Sequence, residues 1–172
     1  VLARFGFDEE LFESLRARVA SGDLSSASNV VEGTLEAPRD EDVTLLPDPG
    51  DDSCDETREA GLAALRRGEV AQVVLAGGMA TRFGGVVKAV LEAVDGKSFL
   101  EAKLLQTATL EDALGVTVPV ALMTSFATDA EIRAHVVERA LGDPLVFNQF
   151  VSLRLEPSGE LFRGEDGRPS LY

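Results

Sequence analysis

This 172-residue chain has little with which to build a metal site or a nucleophilic centre. It contains one cysteine, Cys54, and one histidine, His135. A single thiol forms no internal disulfide, and one imidazole far from one thiol falls short of the clustered ligands that hold zinc. Acidic neighbours disfavour the Cys54 thiolate, so it reads as an incidental surface thiol of a protein kept in a reducing cytoplasm. His135 falls in the middle of a helical pattern and reads as a surface residue. There is no Gly-x-Ser-x-Gly elbow and no His-Glu-x-x-His pair. Long apolar runs are missing too. The longest uncharged stretch, residues 113–128, contains Gly115 and Pro119 and is too short to span a bilayer. No basic-then-apolar signal opens the sequence.

Positive charge is the other scarcity. Sixteen basic residues face 30 acidic ones, for a net charge of −14. Such a field repels nucleic acid and anionic membranes, which excludes a polymer-binding role but leaves room for a small phosphorylated ligand. The imbalance is uneven: residues 1–70 carry 7 basic and 17 acidic side chains, residues 71–172 carry 9 and 13. The first part reads as a solvated flank and the second as the home of a site.

Asp8 is placed to cap a helix with Leu11, Phe12, Leu15 and Val19 on one stripe, ended by Gly22. Residues 23–53 hold three prolines and no sustained period, and read as an extended connector. A second helix capped by Asp55 ends at Arg66-Arg67-Gly68. Residues 1–68 thus form an acidic helical flank with an extended connector, and residues 69–172 a separate α/β part. Within the latter, residues 70–76 read as a strand buried on both faces. Ser98 with Glu101 makes a capping box for a helix to about Asp112. Residues 118–124 form a second strand, Thr128 with Glu131 starts a helix to about Ala140, and residues 146–150 form a third strand. A small hairpin is expected around Pro157-Ser158-Gly159. Strands alternating with helices imply a parallel sheet in a three-layer α/β/α arrangement, with helices on both faces.

The informative stretch is Val73-Val74-Leu75-Ala76-Gly77-Gly78-Met79-Ala80-Thr81-Arg82-Phe83-Gly84-Gly85-Val86-Val87-Lys88. Paired glycines directly after a strand let the backbone approach a ligand and turn its N–H groups outward. In open α/β sheets, ligands bind at the carboxyl ends of the strands. Residues 77–88 hold two cations, Arg82 and Lys88, and no acid, an inversion of the chain's overall charge. A P-loop does not fit, because Lys88 lacks its preceding glycine and following hydroxyl residue. Nor does any register supply Gly-x-Gly-x-x-Gly.

This loop resembles the signature of the sugar and cofactor nucleotidyltransferases. Two further segments narrow the resemblance. Met123-Thr124-Ser125-Phe126-Ala127-Thr128 and Phe147-Asn148-Gln149 are similar to segments of the UTP–glucose-1-phosphate uridylyltransferases and UDP-N-acetylhexosamine pyrophosphorylases, and Asp95-Gly96-Lys97-Ser98-Phe99-Leu100 is similar to a segment of the glucose enzymes. Two positions depart from the pattern: Ala80 stands for the usual third glycine and Val87 for the usual proline before the lysine.

The resemblance implies a Rossmann-like nucleotidyltransferase fold of the glycosyltransferase-A type, and a reaction of UTP with a sugar 1-phosphate, foremost glucose 1-phosphate, giving UDP-sugar and pyrophosphate. It implies nucleotide contacts from Leu75, Ala76, Gly77, Gly78, Met123, Thr124 and Gln149, with Gln149 reading the uracil edge. It also implies catalytic charge from Arg82 and Lys88. Mg²⁺ is the implied cofactor, its ligands coming from the substrate phosphates or from beyond Tyr172, since the family's Gly-His-Gly-Asp segment is not in this sequence. On that ground the chain reads as the N-terminal, nucleotide-binding portion of a longer enzyme, inactive by itself. A GTP- or CTP-dependent cofactor transferase sharing the loop, and a non-catalytic nucleotide-binding fragment, are the alternatives; nucleotide competition and a turnover assay separate them.

Overall fold

Short apolar runs between helix-stop and helix-start signals become strands in the computed structural model, which describes residues 1–80 and 84–172. In chain order the elements are α1 (Glu9–Ala20), α2 (Asp52–Arg66), β1 (Gln72–Leu75), β2 (Met79–Ala80), β3 (Val86–Val87), β4 (Glu92–Val94), β5 (Lys97–Ser98), α3 (Phe99–Leu114), β6 (Val120–Thr124), α4 (Asp129–Glu138) and β7 (Leu145–Asn148). Arg82 falls outside the described residues. No helix among those described is long and apolar enough to cross a membrane.

The chain divides into two compact units, residues 36–148 and residues 1–35 with 149–172. The first unit carries a three-stranded parallel sheet in the order β1-β6-β7. Its register sets Leu75 beside Met123 and Met123 beside Phe147. Two crossovers, through α3 and then α4, step across the sheet in the same direction. Right-handed crossovers that do not reverse direction leave their helices on one face. The core follows: Ala76 and Leu122 of the sheet side pack with Leu100 of α3, Ile132 and Val136 of α4, and Val87.

One expectation is corrected here. Residues 70–76 are not buried on both sides: β1 is a four-residue edge strand with alternating burial, and Val73 and Leu75 are 55% and 72% exposed. The order β1-β6-β7 gives β1 one neighbour, and the α3 and α4 layer takes only the Val74–Ala76 side.

Helix termini follow local chemistry more closely. Asp8 accepts from the Leu11 N–H at 2.8 Å and starts α1. Ser98 and Glu101 form the expected reciprocal capping box of α3, which Gly115 ends in the left-handed region at φ 63°. α2 begins at Asp52, with Asp51 at its N-cap, so Asp55 lies inside the helix and does not start it. All residues of α2 keep some exposure, as its polar composition requires.

The second unit joins the first 35 residues to the last 24. Phe5, Phe12 and Val151 are buried in it, Val151 N–H donates to the Phe5 carbonyl at 3.0 Å, and Arg16 Nε donates to the Gly159 carbonyl at 2.8 Å. The expected hairpin appears as a Leu155–Leu161 bridge, extended by Arg163–Pro169 and Leu153–Leu171.

Candidate functional site

Beyond β1 the chain makes a hairpin. Met79 pairs with Val87 and Ala80 with Val86, antiparallel, and Gly84 and Gly85 both take positive φ near the tip, 82° and 78°, which side-chain-bearing residues avoid. Val87, standing where the resembled family has proline, is 1% exposed and belongs to the core cluster. It anchors the returning strand, so that the Lys88 N–H reaches the Gly78 carbonyl at 3.4 Å. Gly78 and Lys88 thereby lie side by side, ten positions apart in sequence.

The backbone polarity of the loop is ordered. Ala76 N–H donates to the Met123 carbonyl at 2.7 Å and continues the ladder. The Gly77 carbonyl accepts from Ser125 Oγ at 2.9 Å, and the Gly78 carbonyl accepts from Lys88. With both carbonyls engaged by protein donors, the Gly77 and Gly78 N–H groups have no acceptor among the described residues. Gly78 needs glycine for neither backbone nor packing: its φ is not positive, and a Cβ there would meet nothing within 4 Å. Open space beside free N–H groups is what an anion requires.

A cleft of about 280 Å³ lies at this point. Leu75, Ala76 and Gly78 line one side of it, Lys88 another, and Phe99, Leu100 and Lys103 of α3 a third. Four of the expected site residues, Leu75, Ala76, Gly78 and Lys88, are thus brought together. Phe99 and Lys103 are additions that the loop motif did not reveal; the signal was their spacing of four on a helix whose start was legible. A larger hollow of about 630 Å³ lies among the amino ends of β6 and β7 and brings together none of the expected residues.

Thr124 takes a different part. Its side chain was expected to line a nucleotide pocket, but it is 0% exposed, and its hydroxyl donates to Asp129 Oδ1 at 2.9 Å while accepting from Asn148 Nδ2 at 2.6 Å. Asn148 Nδ2 and Arg133 Nε also reach Asp129 Oδ1, each at 2.9 Å. Burial works to raise the Asp129 pKa, but hydrogen bonds from Asn148, Thr124 and Arg133, with the Arg133 charge, hold it below the ordinary carboxylate value. Ser125 closes the network. Its N–H donates to Thr128 Oγ1 at 3.0 Å, and its hydroxyl holds Gly77 as above. This cluster ties β6, β7 and α4 together and positions the loop from beneath. Met123, half-buried, lies next to Leu75 on the face opposite α3 and α4. Gln149 is exposed directly after β7 and opens the last segment of the other unit.

His135 is not the surface residue its sequence context suggested. Its side chain is 11% exposed and its Nε2 lies 2.9 Å from Ser98 Oγ. That oxygen accepts from the Glu101 N–H at 3.1 Å, and the Glu101 carboxylate accepts from the Ser98 N–H at 2.7 Å. The Ser98 hydrogen bond lowers the Glu101 pKa against the opposing effect of burial. The arrangement fixes the first turn of α3, where Phe99 and Lys103 start their stripe along the cleft.

Residues 10–155 match the family model of the UTP–glucose-1-phosphate uridylyltransferases. The chain belongs to this family. A relative named "Probable UTP–glucose-1-phosphate uridylyltransferase", from Schizosaccharomyces pombe, is 34% identical over 154 residues, which is 86% of this chain and 29% of the relative. Among solved structures, the "putative UDP-N-acetylglucosamine pyrophosphorylase" of Entamoeba histolytica is similar with a TM-score of 0.60 and 20% identity, over 69% of this chain and 33% of that one. A mutant of UDP-glucose pyrophosphorylase from Leishmania major is similar with a TM-score of 0.52 and 19% identity, over 92% of this chain and 32% of that one. The fold is therefore that of the nucleotidyltransferases, and this uridylyltransferase-family chain spans about a third of the length of these relatives.

Proposed function

We propose that the chain forms the nucleotide-binding part of an enzyme that transfers UMP from UTP to a sugar 1-phosphate, foremost glucose 1-phosphate, and releases pyrophosphate. The observation that carries this reading is the cleft beyond β1. There Gly78, whose N–H has no acceptor among the described residues, lines the same cleft as Lys88, with no carboxylate in the lining, in a chain of a uridylyltransferase family.

In this reaction an oxygen of the sugar phosphate attacks the α-phosphorus of UTP, and the bond to the leaving pyrophosphate breaks. The protein's share is to position the phosphates and to offset the charge that builds on them. The Gly77 and Gly78 amides hold the phosphate chain, and Lys88 offsets charge as the transition state forms. Leu75 and Met123, neighbours across the β1–β6 pair, offer apolar surface to the base and ribose. Thr124 supports them from within.

Mg²⁺ does not suit this lining as a protein-held ion, because the cleft presents ammonium groups and no carboxylate. No cluster of three His, Cys, Asp or Glu side chains suited to a metal occurs among the described residues. On this reading Mg²⁺ arrives with the nucleotide phosphates, and no step is assigned to it. The lone cysteine and the net charge of −14 fit a cytoplasmic enzyme of small phosphorylated substrates.

The test is Lys88→Ala in the active form of the protein. Turnover should fall about a hundredfold, with uridine binding little changed, because an electrostatic partner counts most where charge accumulates. Unchanged turnover would remove Lys88 from the chemistry, and stronger competition by GTP or CTP than by UTP would favour a cofactor transferase.

A further inference from the structure

Resting on that reading of the cleft, we propose that Lys103 is a second phosphate-holding cation, which grips the polyphosphate of the nucleotide from the α3 side opposite the loop. The argument begins with the helix. Phe99, Lys103 and Thr107 are spaced by four and form one stripe of α3. Thr107 Oγ1 donates to Gln72 Oε1 at 2.8 Å, so the stripe faces β1, and it meets the strand at its first residue. α3 runs antiparallel to β1 in this right-handed crossover. One turn earlier on the helix is therefore farther along the strand, which sets Lys103 abreast of the carboxyl half of β1. There it lines the same cleft as Gly78 and Lys88.

The position is held firmly. Leu100, on the adjoining stripe, is 1% exposed in the core, and the Ser98–Glu101 box with His135 fixes the first turn. Nothing draws the ammonium elsewhere. The positions three and four residues away on α3 are Phe99, Leu100, Gln106 and Thr107, none of them acidic. Neither Lys88 nor Lys103 has an ion-pair partner among the described residues. Two ammonium groups without ion-pair partners among the described residues, Lys88 after the loop and Lys103 on α3, line one cleft together with Gly78 and form an anion clamp in a chain that is otherwise strongly acidic.

The experiment is calorimetric titration of the protein with inorganic pyrophosphate and, separately, with uridine. Lys103→Ala should weaken pyrophosphate about tenfold, the size of one lost charge-assisted hydrogen bond, and leave uridine binding and the thermal midpoint unchanged. Lys103→Arg should restore most of the loss. Wild-type pyrophosphate affinity in Lys103→Ala, with a clear loss in Lys88→Ala, would overturn the clamp and leave the cleft a phosphate site. Unchanged affinity in both variants, or no pyrophosphate binding by the wild type, would overturn the clamp together with the reading of the cleft.

Discussion

Two polar regions meet at the carboxyl end of the sheet and behave in opposite ways. In the cleft, polar groups are left without partners among the described residues: the N–H of Gly78 and the ammonium groups of Lys88 and Lys103. Below it, Thr124, Ser125, Thr128 and Asp129 are each 3% exposed or less, and their hydrogen bonds run to one another and to Asn148, Arg133 and Gly77. Most residues of both regions belong to segments that the family resemblance singles out, with Lys103, Asp129 and Arg133 outside them. A motif residue can therefore present chemistry or hold the residue that presents it, and burial with a filled set of partners tells the two apart.

The comparison is broken most strongly at Asp129. Removing a carboxylate on which three donors converge leaves Thr124, Asn148 and Arg133 without their common acceptor. Asp129→Ala should cost about 3 kcal/mol of stability, read as a lower denaturation midpoint. A loss under about 0.5 kcal/mol would mean that the cluster is not a support. Gly78→Ala tests the other side. Because no atom lies within 4 Å of the added Cβ and φ is not positive, stability should stay within about 0.5 kcal/mol, while UTP affinity drops about tenfold as the methyl group occupies ligand space. An unfolded variant, or one with full affinity, would refute that placement.

Acid provides the smallest and most graded test. Asp129 and Glu101 both have pKa values held below those of the unfolded chain. Their contribution is complete above the ordinary carboxylate range and is lost as pH falls through the depressed folded-state values. Thermal midpoints should therefore decline from neutral pH into acid, and Asp129→Asn should flatten the decline. An equal slope in wild type and variant would show that Asp129 is not a source of the linkage.

The sequence made legible what depends on neighbours a few residues away. The Ser98–Glu101 box, the Asp8 cap and the three sheet strands all rest on local spacing, and each is present, with the first two strands trimmed to Gln72–Leu75 and Val120–Thr124 and the third shifted to Leu145–Asn148. What depends on distant packing was not legible. Whether Val73 and Leu75 are covered is decided by what packs on their face of the sheet, which apolar content does not encode. Thr128 was expected to cap α4 and does occupy that position, yet its hydroxyl takes the Ser125 N–H instead. His135 was read by its place along one helix, whereas its partner comes from another. In the site, the loop's landmarks could be read directly, while Lys103 enters only once α3 is laid against β1.

The one-sided sheet has a bearing on how copies of the chain meet in solution. Along its outer edge β1 bonds no further strand among the described residues, and Val73, Leu75, Leu145 and Phe147 stand open on the adjoining face. An unpaired edge beside an apolar face is the geometry through which sheets recruit strands from neighbouring molecules. What opposes it is mutual repulsion, since every copy carries a net charge of −14. That protection is long-ranged only in dilute salt and fades toward the isoelectric point near 4.4. Colloidal behaviour in this molecule is thus governed by the same acidic excess against which its cleft stands out.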